Sequence, residues 1–140
     1  MNKESLPGAY GKKLLQLATE DHRIVVLDAD LSLSTMSCYI ERELPERFFE
    51  MGISEQDMIS TAAGLALVGK IPFVNSFSVF VTGRAYEQIR QGVALPSLNL
   101  KIVGSSAGLS DFGDGATHQS IEDVAIMRAL PNMTCRCQRT

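Results

Sequence analysis

Apolar residues along this chain recur at two spacings, and the switches between them mark out strands and helices. Tyr10, Leu14, Leu15 and Leu17 fall at helical spacing behind Ser5-Leu6-Pro7, which predicts a helix starting near the proline and running to Glu20. Ile24-Val25-Val26-Leu27 is an unbroken apolar run of strand length, and it ends in the polar Asp28-Ala29-Asp30-Leu31-Ser32. Met36 to Glu43 predicts a short helix before Pro45, and Arg47-Phe48-Phe49-Glu50-Met51 a short strand. Residues 54–68 form a helix rich in Ala and Gly; Lys70 to Asn75 is a strand, with Pro72 tolerable at a first-residue or edge position. Phe80 to Val93 predicts a helix with Gly83 as its weak point, followed by a strand over Leu98 to Val103. A Gly- and Ser-rich loop from Gly104 to Gly115 then leads into a helix over Gln119 to Leu130. Strands alternating with helices predict an α/β domain on a parallel sheet. Such sheets place ligand crevices at the carboxyl ends of their strands, so Asp30 is a candidate site residue.

Composition narrows the partners. The 140 residues are 45% hydrophobic and 21% charged, an ordinary globular balance with room for one substantial core. A net charge of -3 with acids and bases interspersed gives no basic face, which argues against nucleic-acid and anionic-membrane partners. Met1 to Gly8 has no apolar leader, and no stretch reaches the ~18 consecutive apolar residues of a membrane span, so the expected location is cytoplasmic. Three cysteines, with Cys135 and Cys137 separated by one residue and no second pair at zinc spacing, predict free thiols and no metal site.

Candidate chemistry begins at Gly52-Ile53-Ser54-Glu55-Gln56-Asp57-Met58, where Glu55 opens the small-residue helix. Small residues let a backbone or a flat ligand approach while the acid is held at the helix start. Ser54 and Asp57 also match a capping box, and the helix dipole by itself favours an acid in the first turn. Phe77, Phe80 and Tyr86 in Asn75-Ser76-Phe77-Ser78-Val79-Phe80-Val81-Thr82-Gly83-Arg84-Ala85-Tyr86 could form an aromatic shelf or simply core. Asp114 and His118 share one loop, Asp114-Gly115-Ala116-Thr117-His118-Gln119, and can project from it toward a crevice.

These runs, in this order between about Asp28 and Met133, resemble the pyrimidine-binding domain of thiamine-diphosphate enzymes, most closely the transketolases. The resemblance implies a three-layer α/β/α domain with a mainly parallel sheet. It also implies thiamine diphosphate as cofactor, bound here by its pyrimidine end. In that family a Glu hydrogen-bonded to the ring N1′ favours the imino tautomer that deprotonates the thiazolium C2, and the matching residue is Glu55. Phe77 and Phe80 match ring-contacting aromatics, with Gly83 where a further Tyr is usual. His118 and Asp114 match sugar-contacting residues of an Asp-Gly-Pro-Thr-His-Gln motif, with Ala116 in place of Pro and Gly113 in place of an acid. Asp30 matches a position lining the cofactor channel, and Ser34 one on the substrate side.

Gly113-Asp114-Gly115 is similar to the start of the metal- and diphosphate-binding motif of these enzymes, but a polar loop precedes it and Asn132 follows too soon, so it reads as a turn. The chain is therefore expected to be a single pyrimidine-binding domain, incomplete at its C-terminus, without a diphosphate-binding or a C-terminal transketolase domain. A diphosphate-binding transketolase subunit would hold the divalent metal, such as Mg, and complete the transfer of a two-carbon ketol unit between sugar phosphates. The chain alone would be inactive and homodimeric, because small residues of helix 54–68 and the apolar segment 77–81 would be left partly uncovered. The rival within the chemistry is 1-deoxy-xylulose-5-phosphate synthase; Thr117-His118-Gln119-Ser120-Ile121-Glu122-Asp123 favours a split transketolase, and dehydrogenase E1 β-subunits fit less well. The non-enzyme rival is a solitary domain that only dimerises. Cys135-Arg136-Cys137-Gln138-Arg139-Thr140 stands where related chains continue with an apolar strand, and predicts a frayed sheet edge.

Overall fold

The computed structural model describes residues 5–138; the N-terminal Met1 to Glu4 and the last two tail positions, Arg139 and Thr140, lie outside the described residues. Four parallel strands, β1 (Ile24–Asp28), β2 (Phe48–Glu50), β3 (Ile71–Phe77) and β4 (Lys101–Ser105), lie in the order β2-β1-β3-β4. Successive side chains on β1 point to opposite faces. Ile24 and Val26 meet Leu14 and Ala18 of α1 (Leu6–Glu20) and Ile40 of α3 (Cys38–Glu43). Val25 and Leu27 meet Met58, Ile59 and Ala62 of α4 (Glu55–Leu67), together with Val81, Ile89 and Met127. The result is a three-layer α/β/α domain with a fully parallel sheet, as the resemblance implies.

Local chemistry explains most boundaries. Ser5 caps α1, its hydroxyl accepting the Gly8 N–H at 3.2 Å, with Pro7 in the first turn. Pro72 is not on an edge strand, since β3 lies between β1 and β4. Its register with β1 is Val25↔Pro72, whereas pairing with β4 begins only at Phe73↔Lys101, so the missing N–H falls where β3 has a neighbour on one side only. Gly11 is a packing requirement: a Cβ there would lie 2.5 Å from the Met36 carbonyl oxygen, so α1 approaches the turn between α2 (Ser32–Thr35) and α3 too closely for any side chain.

Several expectations are corrected. The short α2 arises in a segment the periodicity leaves blank. The helix expected over 80–93 is wound mostly as π-helix, Val79–Arg84 and Ile89–Ala94, around one short α-helical piece, α5 (Tyr86–Gln88). Such wide turns concentrate at functional sites. The last helix, α6 (Asp123–Arg128), is four residues shorter at its start than expected, because Ser120 pairs with Gly108 in an antiparallel bridge and holds that stretch extended. Ser54 sits at the N-cap of α4 without a side-chain hydrogen bond, so the capping box does not form. Phe77 and Val81 are buried within the domain, whereas Val79 and Phe80 between them are half-buried and Gly64 of α4 is exposed; Ile53, Leu67 and Val68 are exposed large apolar side chains next to α4. Residues 133–138 carry no regular structure, and Cys38, Cys135 and Cys137 are free thiols.

Candidate functional site

The chain passes from β1 outward to β2 and then back across β1 to β3, so the strand order reverses between β1 and β3, the place where open α/β sheets form their crevice. Asp28 and Asn75 face each other in register there. Asp28 is fully buried, its Oδ1 accepting from Leu31 N–H at 2.7 Å and its Oδ2 from the Thr35 and Ser37 hydroxyls at 2.7 and 2.8 Å. Burial pushes its carboxyl above the ordinary carboxylate range; those three donors pull the other way, and the Glu50 charge adds to the rise. Tyr10 donates its phenolic proton to Asn75 Oδ1 at 2.5 Å, and burial, with the Asp28 charge second, holds that phenol well above the ordinary tyrosine value against the pull of the Asn75 bond. This layer is a buried polar floor beneath the site.

Two loops are tied together above it. Glu50, at the end of β2, accepts on Oε1 from Asp30 N–H at 2.8 Å and Gly52 N–H at 2.9 Å. Asp30 and Gly52 both have left-handed backbone, φ 60 and 66, and each is pinned by the same carboxylate. Three residues past Gly52, Glu55 starts α4 and is only 1% exposed. Dipole and capping preferences account for exposed acids; a buried one requires a partner, and Arg84 supplies it, Nη1 to Oε2 at 2.7 Å. The acid at the head of the small-residue helix thus faces one guanidinium.

Arg84 links the two motifs. Its guanidinium carbon stands 4.7 Å from the centroid of the Phe80 ring. Phe80 stacks with Phe77 at 6.2 Å and 21°, and His118 meets both edge-on, at 5.1 Å from Phe80 and 6.1 Å from Phe77. His118 reaches this place because Ser78 donates to Asp123 Oδ2 at 2.5 Å, locking the start of α6 to the end of β3, while the Gly108–Ser120 bridge closes the loop between. Gly104 permits that lock, since a Cβ on it would sit 2.9 Å from the Ser78 hydroxyl.

Glu55, Phe77, Phe80 and His118 are therefore brought to one place, with Arg84 among them. Asp30, Ser34 and Asp114 are exposed and make no hydrogen bond to that group among the described residues. Asp114 lies in the turn 112–114 that opens a 3-10 helix over Gly115–Thr117, and His118 Nδ1 is 2.9 Å from the Thr117 hydroxyl. Sequence reasoning missed Arg84, Glu50 and the Ser78–Asp123 pair; of these only Arg84 left a trace, a lone cation within the small and apolar run 79–86. A buried carboxylate beside an aromatic pair can receive a flat ring bearing an N–H donor, which fits an aminopyrimidine. No group of three or more His, Cys, Asp or Glu side chains able to hold a metal gathers among the described residues.

The family model for the transketolase pyrimidine-binding domain matches residues 4–139. The chain belongs to the transketolase family. It is 56% identical over 124 residues to a relative from Methanocaldococcus jannaschii that carries the name of a transketolase C-terminal section, covering 89% of this chain and 39% of that one. It is 44% identical over 129 residues to the 6-deoxy-6-sulfo-D-fructose transketolase subunit of a Clostridium species, covering 92% of this chain and 40% of the other. A split-gene transketolase solved as an inactive β4 tetramer is similar at a TM-score of 0.75 and 54% identity, over 89% of this chain and 40% of that one. The transketolase domain described here thus spans about two fifths of the length of these relatives. Its lineage is that of thiamine-diphosphate-dependent transferases, and no helix among its described residues is long and apolar enough to cross a membrane.

Proposed function

We propose that this chain supplies the pyrimidine side of a transketolase active centre, in which a two-carbon ketol unit passes between sugar phosphates. The observation that carries the reading is the buried Glu55 carboxylate beside the Phe77–Phe80–His118 cluster. Thiamine diphosphate would supply a thiazolium carbon able to carry the two-carbon unit. Glu55 would hold the ring at its N1′ and, by keeping a proton there, would favour the tautomer that acts as internal base. Phe77 and Phe80 give the ring an apolar surface that excludes water. With Nδ1 of His118 turned to Thr117, its other ring nitrogen is the one to exchange a proton with a sugar oxygen. Asp114 and Ser34 reach sugar hydroxyls from the exposed rim, and Asp30 lines the channel. A separate diphosphate-binding subunit would hold the divalent metal. The solved inactive β4 tetramer of a split-gene transketolase supports a homo-oligomer, and the relative named as a transketolase subunit supports a separate partner.

The test is Glu55→Gln, assayed for ketol transfer with the diphosphate-binding subunit present. Turnover is expected to fall on the order of a hundredfold or more while the far-ultraviolet dichroism is unchanged. Turnover within a factor of two of the parent protein refutes the assignment.

A further inference from the structure

The structure assigns to Arg84 a role that rests on the reading of the Glu55 site just given: we infer that its guanidinium is an internal stand-in for the aminopyrimidine, and that the ring binds by displacing it. A guanidinium is flat and donates N–H bonds in its own plane. Arg84 uses both properties on the two groups the ring would use, donating to Glu55 Oε2 at 2.7 Å and lying over Phe80 at 4.7 Å. The ring cannot take the same oxygen and the same face while Arg84 keeps them.

The physical need for a stand-in comes from Glu55. A carboxylate 1% exposed has lost its water and must have a charged or donating partner within the protein. A cation fixed permanently there would block the site; one that can leave does not. Arg84 can leave. Its side chain is 45% exposed, it follows the exposed Gly83, around which nothing lies within 4 Å of a Cβ position, and it is held by one ion pair and one ring contact. Its backbone stays in place, because Gln56 Nε2 donates to the Arg84 carbonyl at 3.1 Å from the next residue of α4. Only the side chain moves, then, and its exit leads to solvent. The exchange conserves charge pairing when the ring takes one proton from solvent at its N1: the N–H of the resulting cation takes over at Glu55 as the guanidinium is rehydrated.

Displacement lowers the apparent affinity by the fraction of molecules that are open. Valued only as a surface ion pair with one cation–π contact, the closed form is favoured on the order of tenfold, and the burial of Glu55 makes that a lower bound. Arg84→Met, which keeps the stem and removes the donor, should therefore bind an aminopyrimidine at least about tenfold more tightly. The probe is 4-amino-2,5-dimethylpyrimidine, titrated into the full chain, Arg84→Met and Glu55→Gln by nuclear magnetic resonance. In the parent protein the Arg84 side-chain nitrogen signals should begin with the slow rotation of a paired guanidinium and move to free-arginine positions as probe is added. In Glu55→Gln, which keeps an accepting oxygen but loses the charge, the guanidinium should rotate faster from the outset, and probe binding should be lost. Unchanged or weaker binding by Arg84→Met, with Glu55→Gln still abolishing it, overturns the stand-in and leaves the Glu55 site standing. So does an Arg84 signal that stays paired at saturation. Binding equal in all three proteins, or absent from all three, overturns both readings together.

Discussion

The bond between Ser78 and Asp123 is the joint on which the candidate site depends, and Ser78→Ala tests it. Both residues are buried, at 3% and 9% exposure, and the 2.5 Å bond joins the end of β3 to the start of α6 across 45 residues of sequence. Removing the hydroxyl leaves a buried carboxylate oxygen without its donor, and hydrogen bonds to charged groups contribute about 1.5–3 kcal/mol. Alanine fits sterically, because it keeps the serine Cβ and only removes the hydroxyl. A loss of about 2 kcal/mol, set against an unfolding entropy of about 2.1 cal/mol/K per residue, corresponds to a fall in Tm of roughly 7 °C for a chain of this length. Calorimetry measures the shift, and a cycle with Asp123→Asn measures the coupling, expected at about 1 kcal/mol or more. His118 resonances should move as well, because the ring is held against Phe77 and Phe80 from the far side of this joint. A Tm change below about 2 °C, or strict additivity in the cycle, would show that the loop is held by other contacts.

Gly11→Ala should destabilise the fold by about 1–2 kcal/mol in urea titration, since the gain in helix propensity of about 1 kcal/mol is outweighed by contacts of 2.5 and 2.8 Å with Met36; a stabilised variant refutes this. Glu50→Ala should speed hydrogen exchange at the amides of Asp30 and Gly52, whereas Glu50→Gln, which keeps an accepting oxygen, should not; equal protection in both variants counts against Glu50 as the tie. Asp28 has its carboxyl raised, so the folded state binds that proton more tightly than the unfolded chain, and stability falls as pH rises from about 4 through the raised value. Asp28→Asn should abolish that part of the slope, and parallel stability curves for the two proteins would refute the cause.

Where one force decides local structure, the sequence was sufficient. Ile24 to Leu27 is buried on both faces and reads as an unbroken apolar run; α1 shows its cap, its proline and its apolar stripe in order. Errors arose where tertiary bonds overrode local preference. Gln119 to Glu122 has nothing against helix in its composition, yet its bridge to Gly108 claims the backbone first. Apolar spacing alone could not separate π from α winding over 79–94, because the two pitches differ by little across six residues.

The site divides along the same line. Glu55 and His118 stand in local runs whose composition already sets them apart, and the resemblance joined the runs without any knowledge of distance. Arg84 could not be found that way. Its meaning depends on a carboxylate 29 residues away being buried, which a helix-start position does not imply, since most acids there face water. The same holds for Glu50, whose two accepting bonds matter only because Asp30 and Gly52 adopt left-handed backbone at one spot. Local pattern therefore selects the groups that contact a ligand, while the groups that place and balance them emerge only once burial is known. A buried charge compels a partner, and which residue that is depends on the fold rather than on local pattern.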